Sequence, residues 1–199
     1  ASRCSGAARR VRVRMDASVK VLTPERWADI DKLFSEGAVT RRCWCMYWRI
    51  GARYRRQQPS INRAAFNKTV RKGPPPGLLA YVGGQPAGWC QIGSRDALPY
   101  MQQSWRLRSP DDVPVWAISC FYIGKDFRRH GIAARLTESA IDLARSNGVP
   151  AIEAYPIDRS ASPSSSSTGF VTTFERLGFK HVPSPSPERP IMRLYLQKL

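Results

Sequence analysis

The alternation of apolar and polar positions divides this chain into short strands and amphipathic helices. Val19 to Leu22 reads as a first strand, after which Thr23-Pro24-Glu25 supplies an N-cap, a proline at the first helical position and an early acid. Trp27, Ile30, Leu33 and Phe34 then recur at helical spacing, and Gly37 ends the helix. An apolar-basic segment follows from Arg42 to about Arg56, and a further helix is expected over Ile61 to Arg71, stopped by Gly73-Pro74-Pro75-Pro76. Leu78 to Val82 and Ala87 to Ile92 read as two strands around Gly83-Gly84, a short hairpin turn. Asp96 to Pro114 shows no period and is expected to be irregular. Val115 to Ile123 is the central strand and His130 to Ser146 the central helix, with Ile132, Leu136, Ala140 and Leu143 on one face and Asn147-Gly148 closing it. Ala151 to Tyr155 is the next strand, Val171 to Leu177 a short helix, and Lys180 to Val182 and Ile191 to Leu196 the final strands.

The resulting order, β-α-α-ββ-β-α-β-α-β-β, alternates too little for a doubly wound sheet. It suits a mixed sheet with helices on both faces. A length of 199 residues fits one domain able to bury most of its apolar surface. No run approaches the roughly 18 apolar residues of a membrane span, so a soluble protein is expected with no membrane partner. The five cysteines, Cys4, Cys43, Cys45, Cys90 and Cys120, are odd in number and irregularly spaced. That argues against a disulfide framework and for a reducing, intracellular compartment. Ala1 to Arg14 is rich in Arg, Ala and Ser without a carboxylate, the composition of an organelle transit sequence or its remnant. Met15 is equally a candidate start, so the location is cytoplasmic, or an organelle if that remnant is real. Residues 1–14 are set aside as a basic extension and 15–199 read as one domain. Within 157–168, Asp158-Arg159-Ser160-Ala161-Ser162-Pro163 and the serines behind it are expected to form a mobile insertion.

The formal charge of +17 is unevenly spread. Residues 1–14 hold five arginines and no acid, and residues 41–72 hold eight arginines and two lysines, again without an acid. The rest of the chain is nearly balanced. The basic 41–72 segment is either a solvated helical face or an attractor of anions: the phosphates of a cofactor, an acidic acceptor or nucleic acid. No RNA- or DNA-binding motif accompanies it, so nucleic acid is not the expected partner.

Between the central strand and the central helix stands Arg128-Arg129-His130-Gly131-Ile132-Ala133, with the spacing R-x-x-G-x-A. Small residues at a tight turn that opens a helix aim several backbone N–H groups outward together. Such a start is an anion site, reinforced by the helix dipole.

Residues 115–155 resemble the central motif of the GNAT superfamily of acyl-CoA N-acyltransferases. Thr173-Phe174-Glu175-Arg176-Leu177-Gly178-Phe179 is similar to the helix-to-strand "ERLGF" ending of that fold, and the likeness spans roughly residues 17–199. Cys43-Trp44-Cys45-Met46-Tyr47-Trp48-Arg49 and Glu153-Ala154-Tyr155-Pro156 resemble a subgroup common in bacteria. The resemblance implies an α/β (α+β) fold with a mixed, mostly antiparallel central sheet. It implies acetyl-CoA as co-substrate and an amine as acceptor, acetylated by direct attack in a ternary complex.

On that resemblance, the N–H groups from Arg129 through His130, Gly131 and Ile132 to Ala133 hold the CoA pyrophosphate. The backbone of Phe121, Tyr122 and Ile123 pairs with the pantetheine arm, and the Arg128 and Arg129 side chains add phosphate contacts. Trp44, Tyr47, Trp48 and Arg49 fall where the family varies to form its acceptor pocket. Relatives often carry a tyrosine as general acid where this chain has Phe174; Thr172, Thr173, Tyr155 and Cys120 are the available substitutes. Val115 to Ile123 also lacks the carboxylate that relatives use as a base. Glu153 and Tyr155, two apart on one strand, share a face and are the catalytic candidates, with Asp158 a second base candidate and a surface charge the alternative for Glu153. The absent carboxylate hints at a weakly basic acceptor. A small-molecule amine is expected, with a protein lysine or N-terminal amine, or a non-catalytic CoA-binding module, as alternatives. Cys43 and Cys45 offer only two ligands where zinc takes four, and His130 and His181 lie elsewhere, so no metal is expected. The sequence leaves the oligomeric state open, a homodimer included.

Overall fold

A computed structural model describes residues 15–157 and 167–196. The basic extension 1–14, Asp158 and the serine-rich stretch through residue 166 lie outside the described residues. Among the described residues, seven strands join one sheet: β1 (Ser18–Val21), β2 (Gly77–Val82), β3 (Gln85–Ser94), β4 (Val115–Ile123), β5 (Ala151–Ala154), β6 (Lys180–Val182) and β7 (Ile191–Tyr195). Their spatial order is β1-β2-β3-β4-β5-β7-β6. Only β4 and β5 run parallel, joined through the crossover helix α6 (Ile132–Ser146); the other pairs are antiparallel.

Strand positions follow the sequence pattern closely, since alternation and turn residues are local signals. Gly83 and Gly84 both take positive φ, 55° and 77°, which the two-residue β2–β3 turn requires to match strand twist. The helices are α1 (Trp27–Ser35), α2 (Thr40–Cys43), α3 (Tyr47–Ile50), α4 (Pro59–Lys72), α5 (Pro99–Gln103), α6 and α7 (Val171–Arg176). The 96–114 stretch, expected to be irregular, contains α5 and two 3-10 turns, Arg95–Ala97 and Trp105–Leu107. Such one-turn pieces are too short to show a period.

Both faces of the sheet are covered. On one, α6 lays Ile132, Leu136, Ala140, Ile141 and Ala144 over β2, β3 and β4, with Phe174 of α7 and Phe179 beside them. Leu143, expected on this face, is only half-buried, because Ile141 and Ala144 take the central positions. On the other face, α1 and α4 bury Ile30, Leu33, Phe34, Phe66 and Val70 around Trp89. Phe34 and Phe66 meet Trp89 edge-on at 6.0 and 5.9 Å, arrangements worth roughly 0.5–1.5 kcal/mol each beyond area burial. A third cluster, Trp48, Leu98, Met101, Leu107, Ala117, Tyr155 and Ile191, lies under α3 and α5. No helix of the described residues is long and apolar enough to cross a membrane.

Candidate active site

The sheet opens in its middle. β4 pairs with β3 from Trp116 to Ile123, but with β5 only from Val115↔Ala151 to Ile118↔Ala154. Beyond that point, the β5-facing edge of Ser119 to Ile123 has no strand partner among the described residues. Two local causes act here. The chain leaves β5 through Tyr155-Pro156, and proline brings no N–H to a ladder. Opposite, the β3–β4 register shifts between Gln91↔Cys120 and Ile92↔Ile118, leaving Ser119 as the extra residue of a bulge that bends β4 away.

The open edge leads to the start of α6. Between β4 and α6 lie a 3-10 turn, Lys125–Phe127, and two left-handed residues, Arg129 (φ 68°) and Gly131 (φ 84°). Gly131 caps the helix in a conformation costing a Cβ-bearing residue about 1–2 kcal/mol. The first ladder bond runs from Arg135 N to Gly131 O at 3.1 Å, so the N–H groups of Ile132, Ala133 and Ala134 have no partner within the helix. No acid stands in this first turn and no side chain caps it. Lys125, Arg128 and Arg129 add positive charge, with Arg128 Nε donating to the Ile123 carbonyl at 3.1 Å. The segment therefore presents amides, half a positive dipole charge and two arginines at one place, a fit for a diphosphate.

At the other end of the open edge stands α3. Trp44 and Cys45 both lie in the left-handed region, φ 47° and 51°, and this pair of unusual residues turns the chain between α2 and α3. The turn aims Trp48 at the sheet, where its indole Nε1 donates to the Ser119 carbonyl at 2.9 Å. Ser119 is itself buried, and its Oγ has no hydrogen-bond partner among the described residues. A buried orphan hydroxyl costs free energy unless a bound group satisfies it. Tyr47 packs edge-on against Trp48, Tyr54 and Tyr100 at 4.6, 6.0 and 5.4 Å. Gly51 permits this cluster: a Cβ there would lie 2.5 Å from the Tyr100 ring.

The four aromatic and basic residues predicted for the acceptor thus separate. Trp48 stands at the split with Tyr47 packed against it, while Arg49 donates to the Ala97 carbonyl at 2.9 Å. Trp44 is not at the split; it is 3% exposed, stacked on Trp27 at 5.8 Å and edge-on to Phe34 at 5.4 Å, a pillar of the core.

Glu153 and Tyr155 share one face of β5, as their spacing required. That face is sealed, and Glu153 is 0% exposed, neither an edge nor a surface charge. Its Oε1 accepts from Arg193 Nη2 at 2.6 Å and Nε at 3.1 Å, and its Oε2 from Arg95 Nη1 at 3.1 Å and the Tyr155 hydroxyl at 2.7 Å. Arg193 continues to Asp111 at 2.7 and 2.9 Å and to the Tyr195 hydroxyl at 3.0 Å. Arg95 Nη1 also donates to the Tyr155 hydroxyl at 2.7 Å, and Arg95 Nη2 to the Leu107 carbonyl. Burial, with the Glu153 charge beside it, pushes the Tyr155 phenol well above its usual range. The carboxylate has both oxygens engaged by guanidinium groups and no surface open to a substrate, and a phenol so held has little tendency to release a proton.

Phe174 is fully buried, edge-on to Phe179 at 5.2 Å, and offers no proton. Cys43, Cys45 and Cys120 lie near one another on the α1 side of β4. Burial, together with Cys120, pushes the Cys43 thiol up to about 11, while Trp89 Nε1 donates to Cys45 Sγ at 3.1 Å. Among the described residues, no group of three or more side chains is placed to hold a metal ion.

Sequence reasoning missed Arg95, Asp111, Ser119, Arg189 and Arg193. Arg189, in the β6–β7 loop, reaches across to the Tyr155 carbonyl at 3.4 Å and the Thr168 Oγ1 at 3.0 Å. None of these residues sits in a motif, and most of their partners are 21 to 82 positions away, beyond the reach of a local signal.

In sequence, residues 35–179 match the Acetyltransferase (GNAT) family. No curated protein matches the chain. Among solved structures, a GNAT-family acetyltransferase from Listeria monocytogenes is similar at TM-score 0.57 and 14% identity, covering 92% of this chain and 96% of that one. PaiA N-acetyltransferase from Thermoplasma acidophilum, in complex with coenzyme A, aligns at TM-score 0.52 and 14% identity over 91% and 99%. The polyamine N-acetyltransferase of Drosophila melanogaster, which forms N-acetylagmatine, aligns at TM-score 0.52 and 13% identity over 91% and 100%.

Proposed function

Starting from the chain's membership of the GNAT acetyltransferase family, which the match over residues 35–179 establishes, we propose that it moves an acetyl group from acetyl-CoA to a small-molecule amine by direct attack in a ternary complex. The observation that carries the reading is the continuous path from the α6 amides, along the unpaired edge of β4, to the orphan Ser119 hydroxyl. The N–H groups from Arg129 through His130, Gly131 and Ile132 to Ala133 hold the pyrophosphate, with Arg128 and Arg129 outside it. Phe121, Tyr122 and Ile123 offer main-chain groups to the amide-bearing arm as a missing strand would. Ser119 faces the thioester end, and Tyr47, Trp48 and Arg49 wall the acceptor.

In this reading the amine lone pair forms the N–C bond, the C–S bond breaks, and the proton that nitrogen gives up passes, directly or through water, to the departing thiolate, which leaves as the CoA thiol. The sealed Glu153 and Tyr155 position β5 and take no part in that transfer. Placement replaces a dedicated acid and base: holding two reactants together supplies roughly 7–11 kcal/mol, against the 10²–10⁴-fold typical of acid–base help. The amine must arrive neutral. For a lysine-like group that costs on the order of 4–5 kcal/mol at pH 7, so a weakly basic amine is favoured.

Calorimetry with acetyl-CoA on ligand-free protein, and on Gly131→Val, tests the cofactor half. Binding should be present in the first and lost in the second. Thiol release over an amine panel, followed with 5,5′-dithiobis(nitrobenzoate), tests the transfer. Absence of acetyl-CoA binding overturns the reading. Binding without turnover on any amine favours the non-catalytic module instead, a reading that the apolar Phe174 also supports.

A further inference from the structure

Among the described residues, the α3 side of the split carries positive charge that no acid answers. The chain has only fifteen acids, and five of them pair arginines elsewhere: Asp31 with Arg63, Glu138 with Arg135, Asp142 with Arg145, and Glu153 and Asp111 with Arg95 and Arg193. Among the described residues, no carboxylate lies within ion-pair distance of Arg49, Arg55, Arg106 or Arg189. Arg55 and Arg106 are exposed and hydrated. Arg49 and Arg189 are half-buried, and loss of hydration depresses both guanidinium pKa values, the Arg106 charge adding to the effect at Arg189.

Their hydrogen bonds are correspondingly thin. Arg49 donates through Nη1 to the Ala97 carbonyl at 2.9 Å, while its Nε is buried without a partner. Among the described residues, Arg189 reaches neutral oxygens, the Tyr155 carbonyl and Thr168 Oγ1. A half-buried guanidinium without an anion is costly, and a bound anion would relieve it through charge-assisted hydrogen bonds. Beside Arg189 stands the hydroxyl of Tyr47, with that of Tyr100 next to it. Tyr47 lies within electrostatic reach of Arg189 on one side and Arg55 on the other.

This charge is not placed for the phosphates of the cofactor. The α6 amides lie past Ile123, whereas Trp48 and Arg189 meet the sheet at Ser119 and Tyr155. The offset is four residues, roughly 13 Å of strand. It is equally ill-placed for a polyamine, whose distal ammonium would enter a field of like sign. The same field favours the neutral form of the attacking nitrogen, since nearby positive charges disfavour an ammonium.

Building on the transferase reading, we infer that the acceptor is a primary amine carrying an anionic group, a carboxylate or a phosphate-like oxyanion, received by Arg189 beside the Tyr47–Tyr100 pair. The amine end then faces Ser119 and the thioester.

Three amines of equal reach isolate the charge: 4-aminobutanoate, butylamine and 1,4-diaminobutane, with 3-aminopropylphosphonate distinguishing a phosphate-like head from a carboxylate. Each is titrated calorimetrically into the protein–CoA complex, and each is assayed for kcat/KM with acetyl-CoA. The anionic amines should bind roughly tenfold or more tighter than butylamine, and 1,4-diaminobutane more weakly than both. Arg189→Gln should collapse the ratio between anionic and neutral amine, and Arg189→Lys should restore part of it. Tyr47→Phe should lower the same ratio in a folded background if the loop around residue 189 does not tolerate change. Tight binding of the anionic amines without any turnover would sink the transferase reading and leave this assignment standing. Equal binding of all three, or preference for 1,4-diaminobutane, would overturn the assignment while acetyl transfer itself survives.

Discussion

Replacing Glu153 by Gln separates a structural from a catalytic role for the buried carboxylate. The carboxylate accepts four hydrogen bonds, two from Arg193, one from Arg95 and one from Tyr155, all from a residue with no exposed surface. Gln keeps the shape but cancels the charge, and its NH2 group must face a guanidinium that can only donate. Removing one partner of a buried ion pair costs about 3–5 kcal/mol, because the remaining charge is stranded. For a chain of this size that lowers the unfolding midpoint by roughly 6–20 °C, or by roughly 1–3 M urea. Set against a domain stability of about 5–15 kcal/mol, the loss is large but leaves a folded fraction to assay. Urea denaturation followed by tryptophan fluorescence gives the stability, and steady-state kinetics on the same preparation give kcat. The expected result is a large fall in midpoint with kcat reduced only modestly at temperatures where the variant is folded. An unchanged midpoint with kcat down by about 10²–10⁴-fold would refute the reasoning and return Glu153 to the role of base.

Trp44→Ala should cost about 3–5 kcal/mol of stability through cavity formation, without a selective change in KM for any amine, as unfolding curves and kinetics will show. Trp48→Phe removes the donor to the Ser119 carbonyl and should cost about 1–3 kcal/mol while raising KM for the acceptor more than that for acetyl-CoA. The Arg193 hydrogen bond holds the Asp111 carboxyl below its ordinary value of 3.8. Its stabilisation is therefore full above that value and lost as pH falls through the depressed one, and Asp111→Asn should flatten the acid limb of a stability–pH curve. At the other extreme, the Cys43 thiol is raised to about 11 from 9.0, so folded protein retains a proton that unfolded protein releases. Stability should then decline as pH rises from about 9 to 11, and Cys43→Ala should lessen the decline.

Local chemistry made most of the scaffold readable. The Val115–Ile123 strand, the Gly83-Gly84 turn and the Asn147-Gly148 helix end all depend on neighbours within a few residues, and each stands where the pattern placed it. The amides at the start of α6 were legible for the same reason. The insertion of β7 between β5 and β6 was not, since strand order is a matter of long-range pairing. Nor was the fate of Glu153, whose partners Arg95 and Arg193 lie 58 and 40 positions away. Trp44 misled because an aromatic residue in a variable segment looks the same in sequence whether it faces a substrate or Phe34. Arg189 carried no signal at all, being one arginine in a proline-rich loop of an arginine-rich chain.

The short β4–β5 pairing has a mechanical meaning. Only four residue pairs join the first half of the sheet to the second at this seam, and β5 and β7 carry everything beyond it. Arg95, from the N-terminal side, and Arg193, from the C-terminal side, clasp Glu153 between them like a rivet through two plates. Force applied to the ends of the chain should part the molecule along this line before either half unravels. The same rivet lets the neighbouring strands stand apart at rest.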